Sequence, residues 1–147
     1  MRAQEIMTEN PRCVTADATV REAAQLMRDE DVGLVPVVES NTDKRLVGVI
    51  TDRDIAIRCI AEGRDSSCRV RDAMSRDRLT TCAPQDAVND VMKSMASEKV
   101  RRIPIVDERG SLVGIVAQAD IVRKATSSSD AERTIEQISE PGGPHAH

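Results

Sequence analysis

The feature that most constrains this chain is that it is written twice. "VREAAQLMRDEDVGLVPVV", Val20 to Val38, lies over "VNDVMKSMASEKVRRIPIV", Val88 to Val106, so that Pro36 falls on Pro104. "LVGVITDRDI" then lies over "LVGIVAQADI", with Gly48 on Gly114. Only the polar connectors between these blocks, "ESNTDKR" and "DERG", differ in length, and a turn tolerates such a change. Met7-Thr8 and Met74-Ser75 open the two copies alike. A tandem repeat of one supersecondary unit must bury its apolar faces against a neighbouring unit, and 147 residues suffice for two such halves around sizeable cores.

Each copy can be read element by element. Thr19-x-x-Glu22 has the form of a capping box, and Val20, Ala23, Ala24 and Met27 follow at i, i+3, i+4 and i+7, which predicts an amphipathic helix. Its counterpart carries Val88, Val91, Met92 and Met95, with Asp86 as the expected cap. Next come two short β-branched runs around a polar turn, "LVPVV" with "RLVGVIT" and "RIPIV" with "SLVGIV", which predict antiparallel hairpins. A second helix is expected from Asp52 or Gln118, the earlier one ending at Gly63. The expected segments are a first repeat over 1–63, a linker over 64–69, a second repeat over 70–124 and a tail over 125–147. That tail holds at most a short helix capped by Ser129-x-x-Glu132.

Composition narrows the functional classes. With no Phe, Tyr or Trp, the core is aliphatic and no ring is available to stack a base, which argues against single-stranded nucleic-acid binding. A net charge of −4, spread without long blocks, gives no basis for capturing DNA or an anionic membrane. No secretory signal or spanning segment is legible, so a cytoplasmic protein is expected. Cys13, Cys59, Cys68 and Cys82 lack the C-x-x-C spacing of a zinc or redox motif and read as reduced, packed thiols. A bridge from Cys59 to Cys68 across a short loop is the alternative. His145 and His147 fall in a tail unsuited to a metal site, and no metal is expected.

Two features point beyond packing. Pro36 and Pro104 remove a ladder donor at matching places, which is expected only at an edge or a break. The groups freed there either bind water or face a ligand. Thr51-x-x-Asp54 at the start of a helix is a capping box or a ligand site, and the two roles are compatible. A helix start offers unpaired N–H groups and a hydroxyl to a phosphate, whereas an ionised carboxylate accepts from the two hydroxyls of a ribose.

A helix, "VGLVPVV", a hairpin and "GVITDRDI", written twice, resembles the tandem CBS domains, named for cystathionine beta-synthase, of the stand-alone bacterial type. The resemblance covers about residues 4 to 124. It implies an α/β (α+β) fold of two β-α-β-β-α repeats about a pseudo-twofold axis, with clefts between the repeats that bind adenosyl compounds. The implied function is a non-catalytic regulatory or sensor module, with AMP, ADP, ATP, NAD or S-adenosylmethionine as the ligand. The implied assembly is a homodimer. A ligand-free dimeric scaffold that docks an unidentified partner protein is the competing reading. Nothing suggests an enzyme, since no catalytic constellation or phosphate loop is present.

The resemblance implies Thr51 as a phosphate contact and Asp54 as the ribose acceptor, with Asp120 as the second copy's counterpart. Strand edges at Val14-Thr15 and Val35-Pro36 would recognise the base, with Val37 and Ile50 as aliphatic walls. Arg53 and the Arg101-Arg102 pair are the candidate phosphate cations, and Pro104 repeats the role of Pro36. Because Ala117 stands where Thr51 stands, the two sites are expected to be unequal.

Overall fold

A computed structural model describes residues 1–76 and 79–124; the tail, with its expected Ser129 cap and both histidines, lies outside the described residues. The chain forms two compact units, one of Met1–Pro11 with the chain from Thr80, the other of Arg12–Leu79. These units of contact cut the chain elsewhere than the repeat does. The opening segment of each copy packs in the unit that holds the other copy's hairpin.

In the unit of Arg12–Leu79, strand β2 (Val14–Thr15) runs parallel to β3 (Leu34–Val38), which pairs antiparallel with β4 (Leu46–Thr51). Helix α2 (Val20–Glu30) starts on the expected capping box: Thr19 Oγ1 accepts from the Glu22 N–H at 3.2 Å, and Glu22 Oε2 accepts from the Thr19 N–H at 3.1 Å. Its buried face is Val20, Ala23, Leu26 and Met27. Ala24 is exposed, because the buried face is centred on Ala23 and Met27 and extends to Leu26, which leaves Ala24 beyond its other edge. Together with Val35, Val37, Ile50 and Cys59 these residues form one aliphatic core. Helix α4 (Val70–Ala73) adds Val70 and Ala73, both fully buried there.

Helix α3 (Asp52–Ile55) continues as a π-helix over Ala56–Ile60. The expected end at Gly63 is a Schellman motif. Gly63, at φ +75°, donates to the Ile60 carbonyl at 3.0 Å, and Arg64 donates to the Cys59 carbonyl at 2.9 Å.

The other unit repeats the plan. Its strands β1 (Thr8–Glu9), β6 (Leu112–Ala117) and β5 (Arg102–Val106) form one sheet in the order β1-β6-β5. Helix α5 (Val88–Glu98) buries Val88, Val91, Met92 and Met95 as its spacing predicts. Asp86 is not its cap. The N-cap is Ala87, and the Asp86 carboxylate instead accepts from the Ala83 N–H at 2.8 Å, closing the turn before the helix. Helix α1 (Ala3–Ile6) places Ala3 and Ile6 in this core beside Met92, Ile103 and Ile121, the last from α6 (Gln118–Lys124).

Neither proline breaks its strand. Both N–H and C=O of Val49 bond to Ser75, at 3.1 and 2.9 Å, so the facing Pro36–Val49 pair needs no donor from Pro36. In the other unit the Pro104 carbonyl accepts from the Cys82 N–H at 3.1 Å, and the Cys82 carbonyl accepts from Val106 at 2.9 Å. The parallel contact therefore uses the oxygen of Pro104 and bypasses its nitrogen.

Candidate functional site

The end of β4 delivers Thr51 and Asp54 to a half-buried helix start. Thr51 Oγ1 accepts from the Asp54 N–H at 3.1 Å, and Asp54 Oδ2 accepts from the Thr51 N–H at 3.0 Å, so the pair is a closed capping box. Thr51 Oγ1 still carries its own hydrogen. The Ser75 hydroxyl approaches Asp54 Oδ1 and Oδ2 at 3.3 and 3.4 Å. Asp54 thus has one oxygen fixed by the backbone, while Oδ1 meets only a long contact to a hydroxyl. A carboxylate oxygen can accept two hydrogen bonds, so acceptor capacity remains.

Ser75 is the contact that the reading of site residues missed. Its signal was present in the matching Met-Ser and Met-Thr dipeptides, but nothing local says that Ser75 pairs with Val49. Arg58 secures the segment, donating to the Met74 carbonyl at 3.0 Å and to the Ala73 carbonyl at 3.4 Å. Gly48 explains the close approach, since a Cβ there would stand 2.8 Å from the Ser75 carbonyl oxygen.

The other expected residues of this unit divide. Val14 and Thr15 form the short edge strand and line an open cleft of about 380 Å³ with Arg12, Glu22 and Asn41. Thr51 pairs with Leu34, and Val14 with Val37, so the two groups of candidates stand three residues, about 10 Å, apart along β3. Val35, Val37 and Ile50 are 0% exposed. Their side chains turn into the α2-packed core, so Val37 and Ile50 are not ligand walls. Alternation along the ladder also commits the main chain of Val35 to Ile50, which leaves that residue no free group. Arg53 is exposed at the first turn of α3, its N–H donating to Asp52 Oδ1 at 2.8 Å.

Arg102, Pro104 and Asp120 belong to the other unit. Asp120 repeats half of the box: Oδ2 accepts from the Ala117 N–H at 3.2 Å, but Ala117 returns no hydroxyl. Its Oδ1 is taken by the Arg123 guanidinium at 2.6 Å, and the carboxylate side chain is only 13% exposed. Arg102 is half-buried opposite Ala117 in the β5–β6 register, and Pro104 stands opposite Ile115. Arg101 keeps a buried Nε that finds no partner among the described residues.

All four cysteines are free thiols. Among the described residues no cluster of three His, Cys, Asp or Glu side chains could hold a metal ion, and no helix is long and apolar enough to cross a membrane.

Two sheets built from one repeated helix–hairpin–helix plan, each with a carboxylate accepting at the start of its last helix, define a class of duplicated α/β module. The family profile "CBS domain" matches residues 3–59 and 70–127, and the chain belongs to the CBS domain family. It is 39% identical over 136 residues to the CBS domain-containing protein YhcV of Bacillus subtilis, covering 92% of this chain and 94% of that protein. Among solved structures it is similar to Hypoxic Response Protein I with two coordinated zinc ions, at 33% identity and a TM-score of 0.75, over 84% of this chain and 98% of that one. CBSX2 in complex with AMP matches at 26% identity and a TM-score of 0.74, over 86% and 96% of the two chains. The CBS domain pair of protein MJ0100, in complex with 5-methylthioadenosine and S-adenosyl-L-methionine, matches at 25% identity and a TM-score of 0.72, over 86% and 97%.

Proposed function

We propose that this chain is a non-catalytic sensor module that binds an adenine nucleotide or related adenosyl ligand. The observation that carries the reading is the carboxylate of Asp54, held at a helix start by the Thr51 N–H with acceptor capacity left on Oδ1. Two ribose hydroxyls need such an acceptor. The Thr51 hydroxyl, which spends a lone pair on the Asp54 N–H, keeps its hydrogen for a phosphate oxygen. Arg53 supplies a positive charge on the same turn. The outer side of β2 at Val14-Thr15, where the Thr15 carbonyl already accepts from the Ala18 N–H at 3.1 Å, would face a base, and Pro36 lies on the strand beside it. Asp120, Arg102 and Pro104 form the corresponding set on the other unit. The adenosyl ligands of CBSX2 and MJ0100 support the ligand class.

The lack of aromatic residues makes the test direct. The protein is almost transparent at 280 nm, so copurified adenine would dominate its ultraviolet spectrum, and mass spectrometry of acid-released material would name the ligand. Calorimetric titration of stripped protein with AMP, ATP and S-adenosylmethionine then measures affinity. Heat from none of them at millimolar concentration would refute the reading and favour a ligand-free scaffold.

A further inference from the structure

Cys59 and Cys68 stand apart from the ligand chemistry, yet they meet over one acceptor. Cys59 lies in the π-helix just before its last residue, and its Sγ–H points at the Asp65 carbonyl at 3.5 Å. The same oxygen accepts the Cys68 N–H at 3.1 Å. The intervening loop is closed on itself: Ser67 donates its N–H to Asp65 Oδ1 at 3.0 Å, and the Schellman bonds fix Gly63 and Arg64. Cys68 packs against the core cluster that contains Cys59, and its carbonyl accepts from the Val20 N–H at 2.8 Å. The Cys59 sulfur and the Cys68 backbone are thereby fixed at one end of one core, and the Cys68 sulfur, which lies 3.7 Å from the Arg69 carbonyl, packs against the same cluster.

Their exposures differ in a useful way. Cys59 is 0% exposed, whereas Cys68 is half-buried and reached from solvent. The Arg64 guanidinium lies 3.8 Å from the Cys68 sulfur, where it can stabilise negative charge during attack. Cys13 has no such neighbouring thiol among these contacts, and Cys82 is buried in the other unit.

We propose that Cys59 and Cys68 form a reversible dithiol–disulfide site, oxidised by a peroxide and reduced by a thiol. The Cys68 sulfur attacks a peroxide oxygen, the O–O bond breaks, and Cys68 becomes a sulfenic acid as the first water leaves. Cys59 then loses its proton, and its sulfur displaces the hydroxyl from Cys68 as the second water. Two thiols are oxidised by two electrons and one hydrogen peroxide is reduced to two waters. The bond would pin the end of the helix whose first turn holds Asp54 to the segment that leads to Ser75.

The test is to treat the folded, reduced full chain with hydrogen peroxide, block remaining thiols and map non-reduced peptides by mass spectrometry. A linked peptide joining Cys59 to Cys68, lost on adding dithiothreitol, is expected. Cys68→Ser should abolish it and leave a blocked or over-oxidised Cys59. Because that variant keeps a polar side chain at a half-buried position, its fold can be checked by circular dichroism. Peroxide that oxidises Cys13, or links separate chains, while Cys59 and Cys68 remain a free dithiol would overturn the proposal.

Discussion

The Ser75 hydroxyl rests 3.3 Å from Asp54 Oδ1, on a segment whose backbone is bonded to Val49, one strand residue beyond Gly48. One glycine therefore governs how closely the serine approaches the carboxylate, and the carboxylate serves both the helix and the proposed ligand.

These two duties of Asp54 can be separated by substitution. Asp54→Ala removes the acceptor for the Thr51 N–H and should lower stability by about 0.5–2 kcal/mol, as loss of a cap does. It should also weaken nucleotide binding by roughly 1.5–3 kcal/mol, tenfold or more. Asp54→Asn keeps an oxygen for the Thr51 N–H but loses the charge. Its melting temperature should stay near wild type while its affinity falls, measured by calorimetry alongside thermal unfolding. Wild-type affinity in both variants would leave Asp54 as a cap alone.

The two copies should bind unequally. Asp120 already has Oδ1 on Arg123 and Oδ2 on the Ala117 N–H, and no hydroxyl replaces that of Thr51. Losing one charge-assisted hydrogen bond costs roughly 1.5–3 kcal/mol, so the Asp54 site should be tighter by about tenfold or more. In titrations with AMP and ATP, Asp54→Ala should remove the tight phase and Asp120→Ala should spare it. The reverse pattern would assign the tight site to Asp120.

Gly48→Ala and Gly114→Ala should differ although the positions are equivalent in the repeat. At Gly48 the new Cβ meets the Ser75 carbonyl oxygen at 2.8 Å, and backbone cannot yield cheaply. At Gly114 it meets the Met7 side chain, whose Cγ lies at 2.8 Å and can rotate away. Denaturant unfolding should show about 1–3 kcal/mol lost for the first and less for the second. Equal losses would contradict the distinction.

Stability should fall on the alkaline side under reducing conditions. Burial pushes the Cys59 thiol up, helped by the neighbouring Cys68 thiol, and burial also raises Cys82, partly opposed by its hydrogen bond with Ser94. The folded state holds these protons more tightly than the unfolded state does. Their contribution is therefore fully present below the ordinary thiol value of 9.0 and is lost as pH rises through the raised folded values. Melting curves between about pH 8 and 10.5 should slope downward, and Cys59→Ala with Cys82→Ala should flatten the slope. An unchanged slope in that double variant would assign it to other groups.

The chain is expected to form a homodimer. The surface reason lies in Ile57 and Ile60, 45% and 64% exposed, with Ala56 beside them. Cys59, on the same stretch of helix, is in the core and not on that face. Light scattering should give about twice 16.1 kDa, and Ile60→Asp should shift the mass toward 16.1 kDa. A wild-type monomer at micromolar concentration would refute this.

The sequence by itself determined what depends on neighbours along the chain. The Thr19–Glu22 and Thr51–Asp54 boxes, the α5 stripe from Val88 to Met95, the two hairpins and the Gly63 stop are all set by spacing within a few residues, and each formed as spaced. Only the tertiary structure decided which distant segments meet. Met7 presses on Gly114, and Ser75 bonds to Val49, because each opening segment finds its sheet edge in the unit built by the other copy. Repetition makes the two edges look alike in sequence, so periodicity does not say which one an opening segment joins. The same holds for Val37 and Ile50, buried because α2 covers that face of the sheet, and for Arg123, whose guanidinium occupies Asp120 where the first copy has Ser75. Local pattern fixes the elements, and the chemistry of each carboxylate follows from what packing brings against it.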